Sequence, residues 1–131
     1  MNENILGTVL QTIALLPMQD IAATGDGTGI DITDYVGLAA VTLSAKNVAG
    51  TNPTLIVKLQ DSADNTTFAD ISGAVFTTVT EAGTKAATLE KITVNLNSAR
   101  RYLRAVKTIG GTSSPQFILS CTGHAVKQNR T

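Results

Sequence analysis

A chain of 131 residues can bury a hydrophobic core without disulfide or metal staples and is short enough to be one domain. Ten basic residues balance ten acidic ones, so there is no net field to hold nucleic acid through counterion release, and nucleic acid is not an expected partner. Hydrophobic residues make up 43% of the chain but aromatic residues only 4%, and charged residues 15% against roughly 25% in an average domain. The composition therefore predicts a core of Val, Ile, Leu and Ala beneath a neutral surface rich in Thr, Ser, Asn and Gly, suited to burial against neighbours.

The chain opens on Met1-Asn2-Glu3-Asn4, without the positive n-region of a secretory signal. The stretch Ile5–Pro17 that follows is apolar on both faces. Apolarity on both faces fits either a central strand or an arm that docks on a neighbour, and residues 1–20 are read as an extended arm or edge strand, with Ile5, Val9 and Leu10 as candidate contact residues. Gln11, Thr12 and Pro17 interrupt this stretch, and no segment has the roughly 18 consecutive apolar residues of a membrane helix. The expectation is a chain made in a cytoplasm, with no membrane partner, that stays soluble until it assembles.

Strands are predicted over Thr8–Leu15, Ile21–Thr24 and Leu38–Ala45, with Gly25-Asp26-Gly27-Thr28-Gly29 as a flexible turn and Gly50-Thr51-Asn52-Pro53 as a break. Thr54–Gln60 alternates with period two, Leu55, Val57 and Leu59 on one face and Ile56, Lys58 and Gln60 on the other. A turn at Ser62-Ala63-Asp64-Asn65 leads to strands over Phe68–Ile71 and Val75–Thr80, the latter a Thr-rich candidate edge. Gly83 and the Thr residues of Glu81–Glu90 favour a loop over a helix despite Ala86 and Ala87. Lys91–Asn97 alternates again, Ile92, Val94 and Leu96 facing one way. Strands over Arg101–Thr108 and Gln116–Val126 flank the turn Gly110–Pro115, and Lys127–Thr131 is a polar, frayed tail. Short strands about ten residues apart, with no long helical pattern between them, predict an all-β chain forming a single antiparallel β-sandwich over residues 1–131.

Catalytic chemistry is thinly supplied. The single histidine, His124, has only Cys121 nearby, too few ligands for a zinc site that needs about three or four, and no local partner orients it as a general base. Cys121 lies in the apolar run Phe117-Ile118-Leu119-Ser120-Cys121 and reads as a small buried hydrophobe. The Gly25–Gly29 run lacks the Gly-Lys-Ser/Thr ending of a phosphate loop. Asp26, Asp31 and Asp34, and again Asp61, Asp64 and Asp70, could in principle serve calcium, but neither group matches an EF-hand loop, and solvated turn residues are the simpler reading. Paired-carboxylate sugar chemistry would lack an aromatic platform. No enzyme activity, cofactor or metal is expected. The most charge-rich segment, Arg100-Arg101-Tyr102-Leu103-Arg104, places Arg100, Tyr102 and Arg104 on one predicted strand face, a candidate contact surface because Arg and Tyr are enriched at interface hot spots. The competing reading pairs these arginines with carboxylates elsewhere in the fold.

The run from Leu55 to Ile71, with its Ser62, Asp64 and Phe68, followed by Arg101-Tyr102-Leu103-Arg104-Ala105-Val106, resembles small structural proteins encoded among the virion genes of tailed bacteriophages. The resemblance spans residues 53 to 126 and consists of strand and turn residues with no catalytic signature. It implies a β-sandwich, jelly-roll-like, that sits on the capsid exterior as a decoration or cement protein. The implied partners are the major capsid protein and sister subunits, commonly in a homotrimer. Two alternatives share the composition: a glycan- or receptor-binding β-sandwich module of a phage fibre, and a tail-tube or head-completion subunit.

Overall fold

The computed structural model describes residues 10–80 and 88–127. Its spine is a pair of long strands, β4 over Tyr35–Ser62 and β8 over Tyr102–Lys127, running antiparallel along nearly their whole length. Their alternating aliphatic residues explain the pairing. Val41, Leu43, Ala45, Leu55, Val57 and Leu59 on β4, and Leu103, Ala105, Phe117, Leu119 and Cys121 on β8, all point inward and are buried.

The predicted turns at Gly50–Pro53 and Gly110–Pro115 do not break these strands. Both lie inside the β4–β8 ribbon, where register shifts between Asn47 and Thr54 mark a cluster of bulges. Turn-forming residues are used here to bend a ribbon instead of reversing a chain. Gly50 and Gly111 adopt φ of +109° and +116°, and a Cβ on Gly50 would lie 2.6 Å from the Cα of Pro115. The irregularities compensate. Fourteen steps along β4, from Leu43 to Val57, are matched by fourteen along β8, from Cys121 to Lys107, so the alternation resumes in phase beyond the bend. Asn47, buried at the bend, donates from Nδ2 to the carbonyls of Ala49 at 2.8 Å and Gln116 at 3.1 Å, holding the bulged strands together.

Each half of the ribbon is extended sideways. Beyond the first half, β1 (Leu10–Ile21) pairs with residues 117–126 of β8, and β7 (Thr88–Asn95) pairs with residues 38–45 of β4. On the second half, β2 (Gly25–Asp26) and β3 (Ile30–Asp31) pair with β8, while β5 (Ala69–Val75) and β6 (Val79–Thr80) pair with β4. Every pairing is antiparallel, and buried side chains from both halves enter one hydrophobic cluster. The chain is therefore an all-β antiparallel sandwich, jelly-roll-like in being a long ribbon folded over.

Several predicted boundaries move. The strand expected over Ile21–Thr24 ends at Ile21 as the last residue of β1. Val75–Thr80 is not one strand. Val75 closes β5, Phe76 turns into the core, and only Val79–Thr80 pairs again. Of the loop expected at Glu81–Glu90, residues 81–87 lie outside the described residues and Thr88–Glu90 begin β7. Lys127 belongs to β8, and residues 128–131 lie outside the described residues. The double-faced apolarity of the N-terminal stretch also finds its cause, since a bulge between Ala14 and Leu16 turns both Leu15 and Leu16 inward.

The Gly25–Gly29 run is packed, not free. Gly27 donates its N–H to Ala105 at 2.7 Å, and a Cβ there would come within 2.7 Å of the Leu15 carbonyl oxygen. Replacing Phe117 by Ala is expected to cost about 3–5 kcal/mol in urea unfolding. Asn47→Ala should cost about 1–3 kcal/mol, because two part-buried carbonyls lose their donor.

Candidate functional site

The outer face of the second half-sheet carries a ladder of paired charges. Arg104 on β8 donates from Nε and Nη2 to Gln60 Oε1 at 2.9 and 2.7 Å and pairs with Asp26 on β2 at 3.3 Å. Gln60 passes the connection on, donating from Nε2 to Asp70 on β5 at 2.8 Å, and Lys58 reaches the other oxygen of Asp70 at 3.1 Å. Four strands are stitched in one line. The Arg104 guanidinium also lies over the Phe68 ring, 3.9 Å from its centroid.

Phe68 is delivered there by the Ser62–Thr67 turn. Buried Ser62 accepts from the N–H groups of Asp64 and Asn65 and donates from its hydroxyl to Asp64. Asp64 in turn accepts from the N–H groups of Thr66 at 2.9 Å and Thr67 at 3.0 Å. Those hydrogen bonds, Thr67's foremost, lower the Asp64 pKa from 3.8 to about 2. The turn sits directly on Gly29, where a Cβ would meet the Asn65 side chain and the Phe68 ring.

The predicted face of Arg100, Tyr102 and Arg104 is not one flat strand face. β8 begins at Tyr102, and Arg100 precedes it, where its N–H, Nε and Nη2 all engage Asp61 at 2.8–3.0 Å. Arg101, expected beside inward-facing Leu103, turns out to Asp31 at 3.0 Å and lies 5.3 Å from the Tyr102 ring centroid. Hydrogen bonds from Thr33, then from Arg101, lower the Asp31 pKa to about 2. Five of the six carboxylates raised as calcium candidates are thus taken up by donors: Asp26, Asp31 and Asp61 by arginines, Asp64 by its turn, and Asp70 by Gln60 and Lys58. Among the described residues no group of three or more His, Cys, Asp and Glu side chains could hold a metal ion.

Cys121 and His124 sit on opposite faces of β8, Cys121 buried in the core and His124 exposed. Burial pushes the Cys121 thiol up to about 12, the reverse of an activated nucleophile.

The outer face of the first half-sheet is different in kind. It presents Ala40, Thr42, Ser44, Thr93, Ser120 and Thr122, with aliphatic side chains around them: Leu38 is 65% and Leu89 75% exposed, and Ile118 and Val126 are also open. Leu89 fell within a predicted loop, yet the inward phase of Ile92, Val94 and Leu96 already sets odd-numbered residues outward. Of the N-terminal candidates, Ile5 and Val9 lie outside the described residues, and Leu10 starts β1 opposite Val126.

No family model and no curated protein matches the chain. Among solved structures it is similar to a chain from the Bacillus endospore appendages described as disulfide-linked pili, at 19% identity and TM-score 0.44, covering 92% of this chain and 88% of that one. It is also similar to chains of infectious bursal disease virus. For the Gt strain the identity is 14% and the TM-score 0.49, and for the VP2 subviral particle they are 10% and 0.46, each match covering 90% of this chain. This chain spans only about a third of the virus chains, 33% and 32%. Likenesses of this depth carry no functional argument.

Asp31 and Asp64, both lowered to about 2, and Asp70, lowered by its hydrogen bonds, add stability that is complete above the unfolded value near 3.8 and is lost as pH falls through their folded values. Thermal melts followed from pH 5 to pH 2 should show a falling Tm across that window. Asp64→Asn should melt lower at neutral pH and have a visibly flatter acid limb.

Proposed function

We propose that this protein is a structural subunit whose work is to bind other protein subunits. The observation that carries the reading is the division of its surface. The arginines of the second half-sheet and the carboxylates beside them are paired within the chain, while the first half-sheet offers a broad, sparsely charged face with open aliphatic side chains, on which Lys46 and Lys91 are exposed cations. Such a surface loses little hydration energy on contact and gains from repetition, since weak contacts multiplied by symmetry hold an assembly.

The sequence resemblance supports a finer form of the proposal: a decoration or cement protein on the exterior of a tailed-phage capsid, bound to the major capsid protein and to sister subunits, with a trimer favoured. In that role the protein ties neighbouring capsomers and resists the outward pressure of packaged DNA. A sandwich stitched on one side by charge pairs and buried on the other suits a rigid tie. Arg100, Tyr102 and Arg104, and the N-terminal Ile5, Val9 and Leu10, are the proposed contact residues. The charged ends of both arginines already have partners, and Arg100, 44% exposed, is the more open of the two, Arg104 being 20% exposed.

A glycan-binding module is less well supported. Phe76 and Phe117 are core residues and Phe68 is covered by Arg104, which leaves only the two tyrosines as sugar-stacking surfaces, at opposite ends of the β4–β8 ribbon. Light scattering should give a stable oligomer, and the protein should co-sediment at fixed stoichiometry with capsid shells that lack it. Formation of tubes or rings without binding to shells would favour the tail-tube or head-completion form. A monomer that ignores shells and binds a glycan array would overturn the proposal.

A further inference from the structure

The sheet edges are not alike. β1 carries two register shifts and Pro17, β5 is bulged around Gly73, and β2, β3 and β6 are two residues long, all features that discourage strand addition. β7 has none of them. Its eight residues, Thr88–Asn95, contain neither Gly nor Pro and pair with β4 in unbroken register from Ala45 opposite Thr88 to Leu38 opposite Asn95. Within the sheet ladder its other side is open among the described residues. On the inward face Glu90 accepts from the N–H and hydroxyl of Thr77, which fixes the edge against the opposite half of the sandwich.

Resting on the proposed assembly role, we propose that residues 1–9 of a second copy of this chain add a strand to β7, antiparallel, with Ile5 beside Leu89 and Glu3 beside Lys91. Both pairs fall on the outer face in this one antiparallel register, because Leu89 and Lys91 are outward and directly opposed residues share a face. The 75%-exposed Leu89 gains an aliphatic neighbour and Lys91 an opposite charge, while a parallel strand that sets Glu3 beside Lys91 sets Ile5 beside Thr93 instead. Main-chain ladder bonds supply affinity and these side chains supply register.

The same register excludes the chain's own arm. It sends residues 7–9 past the Thr88 end of β7, whereas Leu10 of the same chain lies at the Asn95 end, opposite Val126, whose β4 partner Val36 is two residues from Leu38. The length of β7 alone is about 23 Å, and the four steps from residue 6, opposite Thr88, to Leu10 span at most about 14 Å. The arm therefore comes from another copy. The contact is head-to-tail, closing into a ring or continuing as an open chain according to the rotation between copies.

Cross-linking of full-length protein tests this. Copies carrying Ile5→Cys, mixed with copies carrying Leu89→Cys and oxidised, should give an intermolecular disulfide several-fold faster than a mixture in which Met18→Cys replaces Leu89→Cys. Buried Cys121 does not compete. Glu3→Lys should weaken self-association by about 1.5- to 5-fold, and Lys91→Glu in the same protein should restore it. Cross-linking no faster than the Met18 control, with the oligomer intact by light scattering, would overturn the strand addition and leave the assembly role standing. An intrachain disulfide in the Ile5→Cys, Leu89→Cys double variant at high dilution would overturn the second copy as donor. Wild-type protein that is monomeric at every concentration would overturn the assembly role itself.

Discussion

The pairing of β4 with β8 is the interaction on which everything else depends. Each strand alone has one greasy face and no means of covering it. Paired, they make a ribbon long enough to fold over, so that Leu43 and Phe117 from one half and Leu59 and Leu103 from the other enter a common core. The fold requires the ribbon to bend without losing phase, because a net slip of one residue would turn an entire inward row to solvent. Compensating bulges around Asn47–Thr54 and the left-handed glycines Gly50 and Gly111 meet that requirement, with the Asn47 amide holding the strands together where the ladder is irregular.

The other strands are positioned by the ribbon and differ in how they are secured. On the second half-sheet the extensions are short, and side chains compensate for the missing ladder: Asp26, Arg104, Gln60, Asp70 and Lys58 connect β2 to β5 across the two central strands. Exposed ion pairs are individually weak. Their structural value lies in forming one continuous line with a stacked Phe68, which holds two-residue strands that backbone bonds alone would leave frayed. On the first half-sheet the extensions are long and ladder bonds suffice, so the outer face can consist largely of small and aliphatic side chains.

This asymmetry connects fold to the proposed role. Charges paired within the chain no longer call for outside partners, and the sparsely charged face leaves few ions, Lys46 and Lys91, for a partner to match. The sheet edges follow the same division, since bulges, proline or brevity protect the edge strands β1, β2, β3, β5 and β6, while β7 is left regular.

Much of this was legible in the chain. The alternation through Leu55, Val57 and Leu59, and through Ile92, Val94 and Leu96, determined which residues are inward, because a pleated strand has a side-chain period of two whatever it pairs with. The apolar run around Cys121 determined its burial in the same way. Local order could not say whether Gly50–Pro53 reverses the chain or bends a strand, since the same residues serve both and only the partner strand, some sixty residues away, decides. Nor could it say that Arg100 meets Asp61 or Arg101 meets Asp31, pairs separated by 39 and 70 positions. The sequence by itself determined the class of fold, the inward rows and the scarcity of catalytic groups. Tertiary structure alone decided the bend, the charge ladder and the open edge, because each depends on which strands become neighbours, and that is settled by closing a core over long loops.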